Sequence, residues 1–118
     1  MRMIREKDKI RVDQETNSKD LGESPIDIQI FTSSNSGLSK YGLWELERIL
    51  NDPNARIPRG NFRIVEVPVD QHHELFEEMR VYVVPTTIVG NQRIIGIPDE
   101  RMLEQALNQH LARLGNTS

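Results

Sequence analysis

VPTTIVGNQRIIG, residues 84–96, is the stretch on which the fold of this chain turns. Thr86 to Val89 is β-branched at every position, Gly90-Asn91 is a two-residue turn, and Arg93 to Ile97 returns as a partner strand, so the stretch predicts a β-hairpin. Pro98-Asp99-Glu100 then opens a helix. Met102, Leu103, Ala106, Leu107, His110, Leu111 and Leu114 fall on one helical stripe, with His110 at the core edge and Gly115 at the terminating position. A hairpin followed by a helix is half of a small domain, and the other half must lie upstream.

Upstream, Ile26, Ile28 and Ile30 alternate with Asp27 and Gln29 and run into Phe31, the pattern of a half-buried strand. Leu43, Leu46 and Leu50, with Ile49 alongside, repeat at helical spacing until Asn51-Asp52-Pro53 stops them. A Pro-, Asn- and Gly-rich loop leads to a second apolar strand, Phe62 to Val67. Two parallel strands joined through a helix require a right-handed crossover. Asp70 is placed to cap a short helix with apolar positions Leu75, Phe76 and Met79. The order strand, helix, strand, helix, strand, strand, helix predicts an α/β domain over residues 26–118, a mixed four-stranded sheet flanked by helices. Residues 1–25 stand apart: Arg2, Arg5, Lys7, Lys9, Arg11 and Lys19 face Glu6, Asp8, Asp13, Glu15, Asp20 and Glu23, and the segment closes on Gly22 and Pro25. It reads as a solvated, flexible extension, ahead of an alternative in which Ile10 and Val12 form a short edge strand.

Composition removes several classes of function. A chain of 118 residues supports one domain. A net charge of −3 offers no basic face for nucleic acid. Apolar runs such as Val81 to Val84 fall far short of the roughly 20 residues that span a bilayer, and no apolar segment follows the charged start, so a cytoplasmic protein is expected. Cysteine is absent, which excludes disulfides, thiolate metal sites and cysteine nucleophiles. His72 and His73 are adjacent and diverge, and His110 lies in another helix, so all three read as non-ligands, the pair as solvated surface, and neither metal nor cofactor is expected. Asn116-Thr117-Ser118 matches a glycosylation sequon without a secretory context.

VPT after a short helix, followed by Thr87-Ile88-Val89, a tight turn, Arg93-Ile94-Ile95-Gly96 and a helix, resembles the second half of small thioredoxins and glutaredoxins. The resemblance spans about residues 26–114 and implies a thioredoxin-like βαβαββα fold. It also implies a cis Val84-Pro85 bond, with the backbone of Val84 pairing to an extended substrate segment. Small microbial members of the family read F-T-S-x-x-C-x-x-C after the first strand, where this chain reads Phe31-Thr32-Ser33-Ser34-Asn35-Ser36-Gly37-Leu38-Ser39. Ser36 thus stands at the attacking cysteine's place and Ser39 at the resolving one's, with Ser33 and Ser34 as lead-in residues. A helix N-terminus draws a cysteine pKa from about 8.5 toward 7 or below, but a serine hydroxyl starts many units higher and cannot exchange a disulfide. Redox turnover is therefore excluded for this chain. Nucleophilic serine catalysis needs a base in hydrogen-bond reach, and the sequence places none at Ser36, whose bland role is helix capping.

Two origins of the paired serines stay open. One is a thioredoxin-like domain that lost its cysteines and became a non-catalytic binding module. Its groove, Asn35, Ser36, Gly37, Ser39, Val84, Pro85 and Thr86, would take a protein or extended peptide segment. NSGLSKYGLWELERIL and RIIG are also similar to KaiB clock proteins, which are such modules, although the short Gly90-Asn91 hairpin departs from KaiB. The other origin is a thiol-disulfide oxidoreductase with serine substituted for cysteine at 36 and 39. A glutathione-binding domain, with Ser36 bonding the ligand's thiolate, is a third reading, weakened by the missing helical second domain. Lys40 and Tyr41 border the groove or are solvated, Trp44 is expected partly buried, and Glu74, Glu77 and Glu78 form an acidic face.

Overall fold

The computed structural model describes residues 25–115 and the backbone of residues 11–16. Strands β1 (Arg11–Thr16), β2 (Ile26–Thr32), β3 (Phe62–Pro68), β4 (Thr86–Val89) and β5 (Gln92–Ile95) alternate with helices α1 (Gly37–Leu50), α2 (His73–Met79) and α3 (Glu100–Gly115). They form one sheet in the order β1-β3-β2-β4-β5. β2 runs parallel to β3 through the α1 crossover, and antiparallel to β4, which pairs antiparallel with β5. The arrangement β3-β2-β4-β5 with its three helices is the mixed four-stranded α/β sheet that the element order predicts, in the thioredoxin-like form that the resemblance implies. The sheet has a fifth strand as well: β1 pairs antiparallel with β3 from Arg11↔Glu66 to Thr16↔Phe62. β3 would otherwise present an unpaired edge, and residues expected in the charged extension cover it. The remainder of that extension, residues 1–10 and 17–24, and the sequon at 116–118 lie outside the described residues.

β2 is buried on both faces, more than a half-buried strand would be. On one side Ile28 and Ile30 pack with Leu46, Ile49, Phe62, Ile64, Val89, Leu103 and Leu107, beneath α1 and α3. On the other, Phe31 packs with Val65, Val67, Phe76, Val81 and Ile88 beneath α2, its ring edge-on to Phe76 at 5.0 Å. Of the predicted α3 stripe, Leu103, Ala106 and Leu107 are buried, whereas Met102 and Leu114 are exposed. Trp44, expected partly buried, is 54% exposed and stacks on Tyr41, because it lies a residue beyond the α1 face that meets the sheet.

Local boundaries follow from backbone geometry. Asp99 starts α3 by accepting the Met102 N–H at 2.8 Å. Asp70 does not cap α2: a 3-10 turn, Val69–Gln71, intervenes, and the helix begins after His72 without a side-chain cap. His72 is half-buried with its Nε2 shielded from solvent, so only His73 of the pair is a surface residue. β5 ends at Ile95 rather than Ile97, since Gly96 turns the chain at φ +90. Gly90 has φ +60 in the hairpin turn, and a Cβ there would collide with the imidazole of His110. Gly90→Ala is therefore expected to lower stability by at least about 1–2 kcal/mol, the usual cost of left-handed backbone for a residue with a Cβ. Urea denaturation measures it, and an unchanged midpoint would contradict the packing.

Candidate functional site

The loop between β2 and α1 is closed by its own serines. Ser36 donates its backbone N–H to the Ser33 carbonyl at 3.1 Å, and Asn35 N–H reaches Ser33 Oγ at 3.2 Å. Ser36 has extended backbone, φ −114 and ψ 113, and its Oγ accepts the Ser39 N–H at 3.2 Å as the N-cap of α1. Ser39, one turn in and 2% exposed, turns its Oγ back to accept the Ser33 N–H at 3.0 Å. The serine pair thus locks the loop to the first helical turn: Ser36 Oγ caps an N–H of the helix start, and Ser39 Oγ reaches back to the N–H of Ser33 in the preceding loop. Ser34 ties the same loop sideways, its Oγ 2.5 Å from Asp70 Oδ2. Below it, Thr32 Oγ1 donates to Glu66 Oε2 at 2.9 Å.

The second half of the site comes from the segment before β4. Antiparallel pairing of Phe31 with Thr86 carries Val84 and Pro85 alongside the start of that loop. The Val84-Pro85 bond is cis, the form the sequence resemblance implies. Pro85 is buried, and its carbonyl accepts the Gly96 N–H at 2.8 Å. Thr86 is 1% exposed and points inward, donating its Oγ1 to the Val83 carbonyl at 2.5 Å. Among the described residues, the backbone N–H and C=O of Val84 make no hydrogen bond. Before it, Tyr82 and Val83 stand out at 82% and 48% exposed.

Gly42 joins the two halves. A Cβ at this position would lie 2.8 Å from Pro85 Cγ and 3.2 Å from its Cβ, so only glycine lets α1 lie directly on the proline ring. Sequence reading passed over Gly42, though the signal was there: a glycine inside a helix costs about 1 kcal/mol and asks for a packing reason.

Of the residues expected to line a groove, Asn35 and Gly37 are exposed and Ser36 and Val84 half-buried, whereas Ser39, Pro85 and Thr86 support it from beneath. Among the described residues, Ser36 Oγ has the Ser39 N–H as its partner and no histidine or carboxylate within hydrogen-bond reach. Among the described residues, no group of three or more histidines and carboxylates is placed to hold a metal, and no helix is long and apolar enough to cross a membrane. A shallow depression lined by Trp44, Glu47, Arg48, Asn51 and Asp52 lies toward the far end of α1, away from the serine pair. There Glu45 hydrogen-bonds Arg48 and favours the charged guanidinium.

No protein-family model and no curated protein matches the sequence. Solved structures do share its chain path. A malarial protein aligns over 75% of this chain and 99% of its own length, at 17% identity and a TM-score of 0.55. The germline-specific thioredoxin Deadhead of Drosophila melanogaster aligns over 76% of this chain and 81% of its own, also at 17% identity, with a TM-score of 0.42. At 17% identity the likeness to the malarial protein is one of fold alone.

Ser36→Ala should cost about 1 kcal/mol in chemical denaturation through the lost cap. Gly42→Ala makes the sharper test. At an unencumbered helix position it would stabilise by about 0.8–1 kcal/mol, but here it is expected to destabilise and to shift the Pro85 resonances in NMR spectra. A stabilised Gly42→Ala protein would show that α1 does not rest on Pro85.

Proposed function

We propose that this chain is a non-catalytic binding module that pairs an extended segment of another protein with the backbone of Val84 beside cis-Pro85. The observation that carries this reading is the unsatisfied Val84 peptide. A backbone donor and acceptor left open on a supported segment at the entry to β4 can pair with one more strand. Next to it in the chain, Tyr82 and Val83 supply exposed apolar surface for side chains of such a strand. Ser36 and Ser39 at the helix start are spent on closing the loop. The resemblance of residues 35–50 and 93–96 to KaiB proteins runs in the same direction.

Selecting binders from a displayed library of random dodecapeptides and titrating them into labelled protein tests the proposal. Chemical-shift changes should centre on Tyr82–Val84 and the 33–36 loop, and Pro85→Ala should weaken binding at least tenfold. Failure to select any peptide, or equal affinity for the Pro85→Ala protein, would count against it.

A second reading rests on the placement of Ser36 and Ser39. One is half-exposed at the N-cap and the other buried a turn later, and α1 has no acidic residue in its first turn. That disposition would suit an attacking and a resolving thiol, as in a thiol-disulfide oxidoreductase whose cysteines are replaced by serine. Restoring both cysteines should then give a protein that accelerates insulin reduction by dithiothreitol. An inert Ser36→Cys, Ser39→Cys protein removes this reading.

A further inference from the structure

The segment from Arg80 to Pro85 carries the exposed Tyr82 and Val83 and the open Val84 peptide, yet it has little hydrogen bonding of its own. β5 and the glycine that follows it bond to both of its ends. At the far end the Gly96 N–H takes the Pro85 carbonyl at 2.8 Å. At the near end the Arg93 guanidinium forks, Nη1 donating to the Arg80 carbonyl at 3.0 Å and Nη2 to the Met79 carbonyl at 2.7 Å. These are the last carbonyls of α2, where a helix leaves acceptors without partners and accumulates partial negative charge. α2 has no basic residue in its own last turn, so the cation comes from the neighbouring strand. Arg93 can reach because it pairs with Ile88, whose side chain lies in the core beneath α2. Arg80 itself has left-handed backbone, φ 56, which residues with a Cβ adopt at a cost and only where the surroundings hold them.

We infer that Arg93 is a positioning residue: by clamping the two terminal carbonyls of α2 to β5, it fixes the exit of the chain into Tyr82–Val84 and so presents the Val84 peptide for pairing. The role assigned to that peptide rests on the binding reading above, but the clamp can be measured without a ligand. Backbone amide order parameters from 15N relaxation supply the readout, since rigid backbone gives values near ~0.85 and flexible backbone falls below ~0.6. In the unaltered protein Tyr82, Val83 and Val84 should be rigid despite their exposure. Arg93→Gln should drop all three toward the flexible range while amides in β2 and β3 stay unchanged. Arg93→Lys, which keeps the charge and can still donate to one carbonyl, should hold them nearer the original values. A residue that merely stabilised α2 would lower the melting temperature and loosen helical amides without moving Tyr82–Val84. That result, or three amides already flexible before substitution, overturns the inference. Should Arg93→Gln unfold the chain, the Arg93→Lys protein and the starting rigidity of the three amides still decide it. For any dodecapeptide selected as above, Arg93→Gln should weaken binding at least fivefold. If no peptide is found but the order parameters fall as stated, the binding reading fails and the clamp stands.

Discussion

Everything in this structure leans on β2. Its edges are both taken, by β3 in parallel and β4 in antiparallel register, and its faces are both covered, by α1 and α3 on one side and α2 on the other. Ile30 and Phe31 are neighbours in sequence and point into different cores, so the strand holds two apolar clusters in fixed relation. The cost of that position is the loss of any freedom in register. A slip of one residue would exchange the two cores and expose or crowd large side chains on both faces. With the strand locked, its C-terminal end delivers the 33–36 loop, and its pairing with β4 delivers Pro85, to the same end of the sheet.

The serine pair shows how the same backbone architecture can be closed by different chemistry. A helix start leaves several N–H groups without acceptors. Ser36 Oγ accepts one of them at 3.2 Å, and Ser39 Oγ accepts the Ser33 N–H of the loop at 3.0 Å. These two hydroxyl oxygens tie the loop to the helix start. At the same end of the molecule the Val84 N–H and C=O make no hydrogen bond among the described residues, and the flanking chain is bonded to Arg93 and to Gly96.

Much of this was legible from local pattern. The hairpin at Gly90-Asn91, the helix start at Ser36, the stop after Leu50 and the order of elements all follow from period, caps and turn residues within a few positions of one another. The cis bond was legible only through resemblance. Asp70 was misread as a cap, because a side chain competent to cap a helix is equally competent to bind Ser34 Oγ across space. Trp44 was expected partly buried and is mostly exposed, because periodicity marks the centre of an apolar stripe better than its border.

The sequence by itself therefore determined which segments are strands and helices, in what order, and that no thiol chemistry is available, since these depend on residue type and near-neighbour spacing. Tertiary structure alone decided that residues 11–16 cover the β3 edge, that Gly42 is where α1 touches Pro85, and that Arg93 reaches the end of α2. Each joins groups well apart along the chain. Contacts of that kind are set by how the sheet and helices stack, and a side chain's donors and acceptors do not reveal beforehand which distant partner the packing will bring within 3 Å.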